Sequence, residues 1–227
     1  MAASVPIAYA QQPSQRKESI ADTGIAGQSI RLYLSPIRVD SGYRLTPNGY
    51  SGATHVEQNE ERQDSARVAS VIGTPTRKID TRNGVQFVSP PLAGPFELSG
   101  VFSGRLELIS NKQSFDFEIS LYELTPSGDY VLVSSYSTHQ AALVEGARHM
   151  SLQPGIRQFV DFNTAGFASR LIQNGSRLVV LVTLLISPKN QIAAANGIAD
   201  LTTDSTNVPL KIGWYGNSYI DLRVRHR

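Results

Sequence analysis

No cysteine occurs among the 227 residues. That excludes a disulfide framework, a thiolate nucleophile and iron–sulfur chemistry, while it leaves the redox compartment open. Charge is also scarce and balanced, with 21 Lys and Arg against 19 Asp and Glu, a formal net charge of +2, and only 18% charged residues in all. Such a chain generates no field that would draw nucleic acid or an anionic membrane, and neither partner is expected. The longest apolar run, Leu178 to Ile186, is nine residues, about half of the ~20 that a membrane-spanning helix needs. It reads as a core strand. Ala8-Tyr9-Ala10 ahead of Gln11 resembles a signal-peptidase site, but no positive segment precedes it and the apolar stretch before it is too short. A signal peptide is not expected, and the location stays open between cytoplasm and periplasm.

The parts of a hydrolytic site are missing too. Acyl transfer on an α/β-hydrolase needs G-x-S-x-G, which holds a serine on a strained elbow beside backbone oxyanion donors. No such pentapeptide occurs. Ser218, within Gly216-Asn217-Ser218-Tyr219, leads into a strand and lacks the closing glycine, and Ser103, between Phe102 and Gly104, fails in the same way; both read as ordinary turn or strand serines. The four histidines, His55, His139, His149 and His226, show neither H-x-H nor H-x-x-x-H spacing, so no metal and no cofactor are expected. Asp116 and Glu118 share one face of a strand, where they could serve acid–base chemistry or hold Ca²⁺. Their alternation with aromatics favours a solvent or interdomain face. Trp214, Tyr215 and Tyr219 could form a sugar-stacking platform, although aromatics this close in sequence more often pack in a core or an interface. The basic end, Arg223, Arg225, His226 and Arg227, reads as a solvated edge that blocks aggregation.

What is present is β-sandwich patterning. In Gly84 to Gly100 an apolar run at Val85 and Phe87 stops at Ser89-Pro90-Pro91, where two rings fix φ and remove donors, and resumes at Phe96 and Leu98. Phe115, Phe117, Ile119 and Leu121 alternate with polar residues at the period of a half-buried strand. Thr125-Pro126-Ser127-Gly128-Asp129 turns that strand into Tyr130 to Ser134. Leu152-Gln153-Pro154-Gly155 is a second turn, leading into Ile156, Gln158, Val160 and Phe162. Phe167 to Ile172 has the spacing of two helical turns stopped at Asn174-Gly175. Leu178 to Ile186 is a central strand covered on both faces, and Pro209 to Trp214 and Tyr219 to Val224 close the sheet. Ahead of these, Arg31 to Ser35 is a first strand, and Pro36 to Arg82 is a long irregular arm with weak strand signals that must lie on the rest. Many strands with Gly/Pro turns and no βαβ alternation predict an all-β sandwich or jelly roll.

The ordered set Phe87-Val88-Ser89-Pro90-Pro91-Leu92, Phe115-Asp116-Phe117, Leu124-Thr125-Pro126-Ser127-Gly128, Leu152-Gln153-Pro154-Gly155 and Ser218-Tyr219-Ile220-Asp221-Leu222 resembles the C-terminal domain of the X-Pro dipeptidyl-peptidase, cocaine esterase and glutaryl acylase (α-amino acid ester hydrolase) family. The resemblance runs over about residues 30–225. It implies a galactose-binding-like β jelly roll that in complete members follows an α/β-hydrolase domain with a Ser-Asp-His triad, cleaving esters, amides or peptide bonds after proline. The triad lies outside the resemblance, so no catalytic residue is carried over. Two departures stand out: Ala194-Ala195-Asn196-Gly197 where such enzymes tend to have Asn-Tyr-Gly, and Arg223 where a proline is common. The expected organisation is a leader or upstream linker over 1–28 and a jelly-roll domain over 29–227. The expected function is a non-catalytic module partnered by an α/β-hydrolase domain in the same or a separate chain, with a homo-oligomer also open. An independent carbohydrate- or ligand-binding module is the alternative from another class, and a weakly active enzyme with an unrecognised site is a third. The expected docking patch is the arm Pro36 to Arg82 with the turns Ser89 to Pro95.

Overall fold

The computed structural model of the chain describes residues 28–50, 52–59, 70–113, 115–138, 152–185 and 209–225. Their twelve strands are β1 (Gln28–Val39), β2 (Gly42–Thr46), β3 (His55–Asn59), β4 (Pro75–Thr76), β5 (Gly84–Val88), β6 (Phe96–Ser110), β7 (Asp116–Leu124), β8 (Tyr130–Ser137), β9 (Gln158–Ile172), β10 (Arg177–Leu185), β11 (Lys211–Tyr215) and β12 (Tyr219–Arg225). One hydrogen-bonded path runs β3-β11-β6-β12-β1-β2-β5-β10-β7-β8-β4, with β9 added on β6. The path folds back on itself into two layers. Phe117 of β7 meets the edge of Trp214 of β11 at 6.2 Å between ring centroids, and Tyr136 of β8 meets Phe162 of β9 at 5.6 Å, although these strands lie far apart along the path. The layers join where β1 turns into β2 through an irregular register and β2 pairs with β5 in parallel.

The inward face of each layer follows from period-2 alternation. Phe117, Ile119 and Leu121 of β7 point into the main core with Leu178, Val180, Val182 and Leu184 of β10, Phe102 and Leu106 of β6, and Ile220 and Leu222 of β12. The opposite face of the β5-β10-β7-β8 layer is also covered. There Val88, Tyr122, Leu132, Val179 and Leu181 form a second cluster against which Ile79 packs. That cover is the chain's own arm: Pro75 and Thr76 pair with β8, Gly73 donates to the Leu132 carbonyl at 2.9 Å, and the hydroxyls of Tyr122 and Ser70 meet at 3.2 Å. Arg77 pins the arm to the β7–β8 turn by donating to the Ser127 carbonyl and pairing with Asp129. Gly128, at φ 85°, supplies the left-handed residue which that turn requires.

Four sequence expectations change. The arm from Pro36 to Arg82 is less irregular than expected, since it holds the end of β1 together with β2, β3 and β4. Phe167 to Ile172 is not helical but the second half of β9, paired with Val101 to Phe96 of β6. Asp116 does not lie on a solvent face but is buried against the Thr138 hydroxyl, and Ser120, further along the same strand face, is buried beside Leu181, which belongs to the cluster the arm covers. Finally, the basic end is not an edge. β12 sits inside its layer between β6 and β1, with Gln28↔Val224 on one side and Leu98↔Val224 on the other. His139, His149, His226, Arg227 and Ala194 to Gly197 lie outside the described residues.

Candidate functional site

The residues that sequence patterning singles out for chemistry serve packing. Ser218 is fully buried, and its hydroxyl accepts from the Glu107 amide at 2.9 Å and donates to the Glu107 carbonyl at 3.2 Å. Both functions of that oxygen are committed to stitching the β11–β12 turn to β6. Asp116 accepts from the Thr138 hydroxyl at 2.9 Å, and Glu118 accepts from the Ser120 hydroxyl at 2.6 Å. The two carboxylates therefore share a strand but are held by separate partners, and among the described residues no group of three metal-ligating side chains converges. His55 lies beside the Tyr215 ring, 5.2 Å between centroids, on the edge strand β3.

The three aromatics separate. Trp214 is 1% exposed and donates its indole N–H to the Gln58 side-chain oxygen at 2.6 Å, so it belongs to the core. Tyr215 and Tyr219 are half-buried and each carries an arginine on its face, Arg157 at 3.9 Å and Arg31 at 3.7 Å. A ring already stacked by a guanidinium has that face occupied.

These two tyrosines belong to a surface that the strand register builds. Alternate residues of β6, β9, β12 and β1 stand outward from the β9-β6-β12-β1 layer, opposite one another in two rows: Asp161, Arg105, Tyr219 and Tyr33 in one, Asn163, Ser103, Asp221 and Arg31 in the next. Cations and carboxylates fall directly opposite. Arg31 makes a bidentate pair with Asp221 at 2.8 Å for each contact, Arg105 reaches Asp161 at 2.7 and 3.1 Å, and Arg157 donates to Glu107 at 2.5 Å. The hydrogen bond to the carboxylate is the chief cause that raises each of these guanidiniums above its ordinary pKa. These three cations are thus each neutralised by a carboxylate of the same face. Gly104, on the inward side of the same strands, lets β6 approach β12 closely: a Cβ there would run into the Tyr219 carbonyl oxygen and stand 2.8 Å from the buried Phe162 ring.

Beside the ionic rows the same face is apolar. Phe167 and Leu171 of β9 point outward and are 75% and 50% exposed, next to half-buried Val101 of β6, while Phe159, 59% exposed, stands at the other end of the strand beyond Asp161 and Asn163 with Arg105 over its ring at 5.5 Å. Sequence reasoning missed all three. Their signal was present in the helix-like spacing of Phe167, Ala168, Leu171 and Ile172, which arises because this strand is apolar on both faces.

Fold and surface define an all-β sandwich whose serines, carboxylates and Trp214 hold its own layers together. Within that class, the chain belongs to the family of X-Pro dipeptidyl-peptidase C-terminal non-catalytic domains, whose family model matches residues 4–183. Solved structures with the same fold include an α-amino acid ester hydrolase (17% identity, TM-score 0.60, 87% of this chain and 36% of that one). An aminopeptidase from a marine sediment archaeon of the Thaumarchaeota (12%, TM-score 0.59, 87% and 37%) and a CocE/NonD family hydrolase from Staphylococcus aureus (15%, TM-score 0.55, 88% and 37%) share it as well. The chain spans a little over a third of the length of these structures. No curated protein sequence matches it.

Proposed function

We propose that this chain is the non-catalytic jelly-roll module of a serine hydrolase of the X-Pro dipeptidyl-peptidase and cocaine esterase type. It supplies surface and stability to an α/β-hydrolase domain that cleaves esters, amides or peptide bonds. The observation that carries this reading is the family match over residues 4–183. The committed hydrogen bonds of Ser218, Asp116 and Glu118 agree with it, since each group already has its partner inside the sandwich. Residues 29–227 form the module in this reading, and 1–28 lead into it.

The test is reconstitution. An α/β-hydrolase domain of this family, produced separately, is assayed on p-nitrophenyl esters and X-Pro amides with and without the chain. The expected result is hydrolysis by the hydrolase domain, none above blank by the chain alone, and a higher melting temperature for the mixture than for either part. Fluorophosphonate labelling of the chain at a single serine would overturn the non-catalytic assignment.

A further inference from the structure

We propose that Asn48 is a site of spontaneous modification, at which the Gly49 backbone nitrogen closes on the Asn48 side chain and converts it to aspartate and isoaspartate. Four Asn-Gly pairs occur in the chain, Asn48-Gly49, Asn83-Gly84, Asn174-Gly175 and Asn196-Gly197, and the last lies outside the described residues. Asparagine ahead of glycine cyclises readily, because glycine has no side chain to crowd its own nitrogen and its backbone turns freely. The nitrogen must leave any hydrogen bond it makes and rotate onto the side-chain carbonyl carbon. The fold therefore decides which pair reacts.

The three described pairs are held differently. The peptide group between Asn83 and Gly84 is clamped at both ends: its N–H donates to the Thr81 carbonyl at 2.9 Å, and its C=O accepts from the Leu184 amide at 2.8 Å and from the Gln58 side chain. Asn83 is buried as well, and a Cβ at Gly84 would press on Leu181 and Thr81. At the turn before β10, the Gly175 N–H donates to the Leu92 carbonyl at 3.0 Å. Asn48 and Gly49 are both exposed beyond the end of β2, and no described residue accepts from the Gly49 N–H. The Asn48 N–H is held by Thr46 Oγ1 at 3.3 Å, which fixes the chain ahead of the reacting peptide group and leaves that group free to turn.

Loss of a proton from the Gly49 nitrogen to hydroxide makes it the nucleophile. It bonds to Asn48 Cγ, the Cγ–Nδ2 bond breaks, and Nδ2 leaves as ammonia with a proton from water, giving a cyclic succinimide. Water then opens the ring: addition at Cγ yields aspartate, and addition at the backbone carbonyl yields isoaspartate, whose chain runs through the side-chain carbons. Nothing is oxidised or reduced. Either product adds one carboxylate and takes the formal net charge from +2 to +1. Isoaspartate also lengthens the backbone beside Gly49, whose Cβ position is 3.3 Å from the Tyr33 ring, and Tyr33 in turn meets the edge of Tyr219 at 5.9 Å. The change is thus transmitted to the outward face that joins β1 and β12.

The experiment incubates the full chain, folded and in urea, at neutral and at mildly alkaline pH, and peptide mapping by mass spectrometry reads the conversion at each Asn-Gly pair separately. In the folded chain Asn48 should convert at least about threefold faster than Asn174, since giving up one hydrogen bond of ordinary net strength is a factor of about two to ten. It should outpace Asn83, which must release three hydrogen bonds and open the core, by at least about tenfold. In urea the three rates should converge, and the rate at Asn48 should rise with pH. Asn48→Gln, whose longer side chain closes a larger ring more slowly, is the blank and should show no conversion at that position. If Asn48 converts no faster than Asn174 in the folded chain, or if the same order persists in urea, the fold does not select this site and the proposal falls.

Discussion

Replacing Gln58 with methionine tests how the two layers are joined. Gln58 is a polar side chain only 5% exposed. From β3 it donates to the Asn83 carbonyl and, at 3.2 Å, to the Val182 carbonyl of β10, while accepting from the Trp214 indole at 2.6 Å. Methionine fills a similar volume and offers none of these bonds. Asn83 keeps a partner, since its carbonyl also accepts from the Leu184 amide at 2.8 Å. The Trp214 N–H is left buried without one. An orphaned donor costs about 1–3 kcal/mol, and the bonds lost to carbonyls contribute about 0.5–1.5 kcal/mol each, part of which the thioether recovers by packing. The expected net loss is therefore about 2–4 kcal/mol, which in a domain of this size lowers Tm by roughly 5–15 °C. Urea unfolding of Gln58→Met, Trp214→Phe and the double variant gives the coupling. Because the double variant removes the orphan, the cycle should show at least about 1 kcal/mol of non-additivity. A single variant within 0.5 kcal/mol of the parent, or strict additivity, would refute the keystone role of this amide.

Further substitutions address other parts of the sandwich. Glu123, fully buried, accepts from Arg170 Nε at 2.5 Å, from the Gln173 amide at 3.0 Å and from the Ser176 hydroxyl at 2.7 Å; Glu123→Ala should cost about 3 kcal/mol in urea unfolding, the lower end for a broken buried pair because Arg170 is a quarter exposed. Gly104→Ala sets a methyl against the Tyr219 carbonyl oxygen, a backbone atom that cannot swing away, and should cost at least about 2 kcal/mol; an unchanged Tm would show that β6 and β12 can part there. Ile119→Asp and Ser120→Asp should both unfold the domain, since residue 119 lies in the main core and residue 120 is 1% exposed beside the Glu118 carboxylate, whereas Ser169→Asp on the open face of β9 should not. Arg31 has its pKa raised by its hydrogen bonds to Asp221, so its contribution is fully present below the unfolded value and lost only at more alkaline pH; the Tm loss of Asp221→Asn should stay constant from pH 6 to pH 10, and a loss that varies across that window would assign the effect to another group.

Strands that are apolar on a single face, or buried on both, could be read from the sequence. Phe117, Ile119 and Leu121 alternate cleanly, and Leu178 to Leu184 is a continuous run, so β7 and β10 were legible. β9 was misread because Ala168 and Ile172 pack inward while Phe167 and Leu171 face out, and two apolar faces one residue apart imitate a helix. β3 escaped because its inward residues are Val56 and Gln58, and a buried glutamine has the pattern of a loop until its partners are known. The covered position of Ser120 was invisible for a related reason. Local alternation marks two faces, but it does not say that a segment 40 residues away in sequence lies across the second one. The place of β12 inside its layer likewise depends on pairing with β1 and β6, distant segments whose register no local pattern encodes.

That place has a consequence for how the molecule is made. Tyr219–Arg225 is synthesised after every other strand of the sheet, yet it is the strand on which β1 and β6 meet. At ~5–20 residues per second, β1 leaves the ribosome roughly 10–40 seconds before its partner exists. During that interval the layer has two open flanks, and the earliest strand waits for the latest. Folding cannot proceed in the order of synthesis; it must end with one long-range insertion of high contact order, a slow event that exposes unpaired strands to other chains. A nonsense or frameshift change within β12 would therefore split a layer at its centre rather than trim an edge.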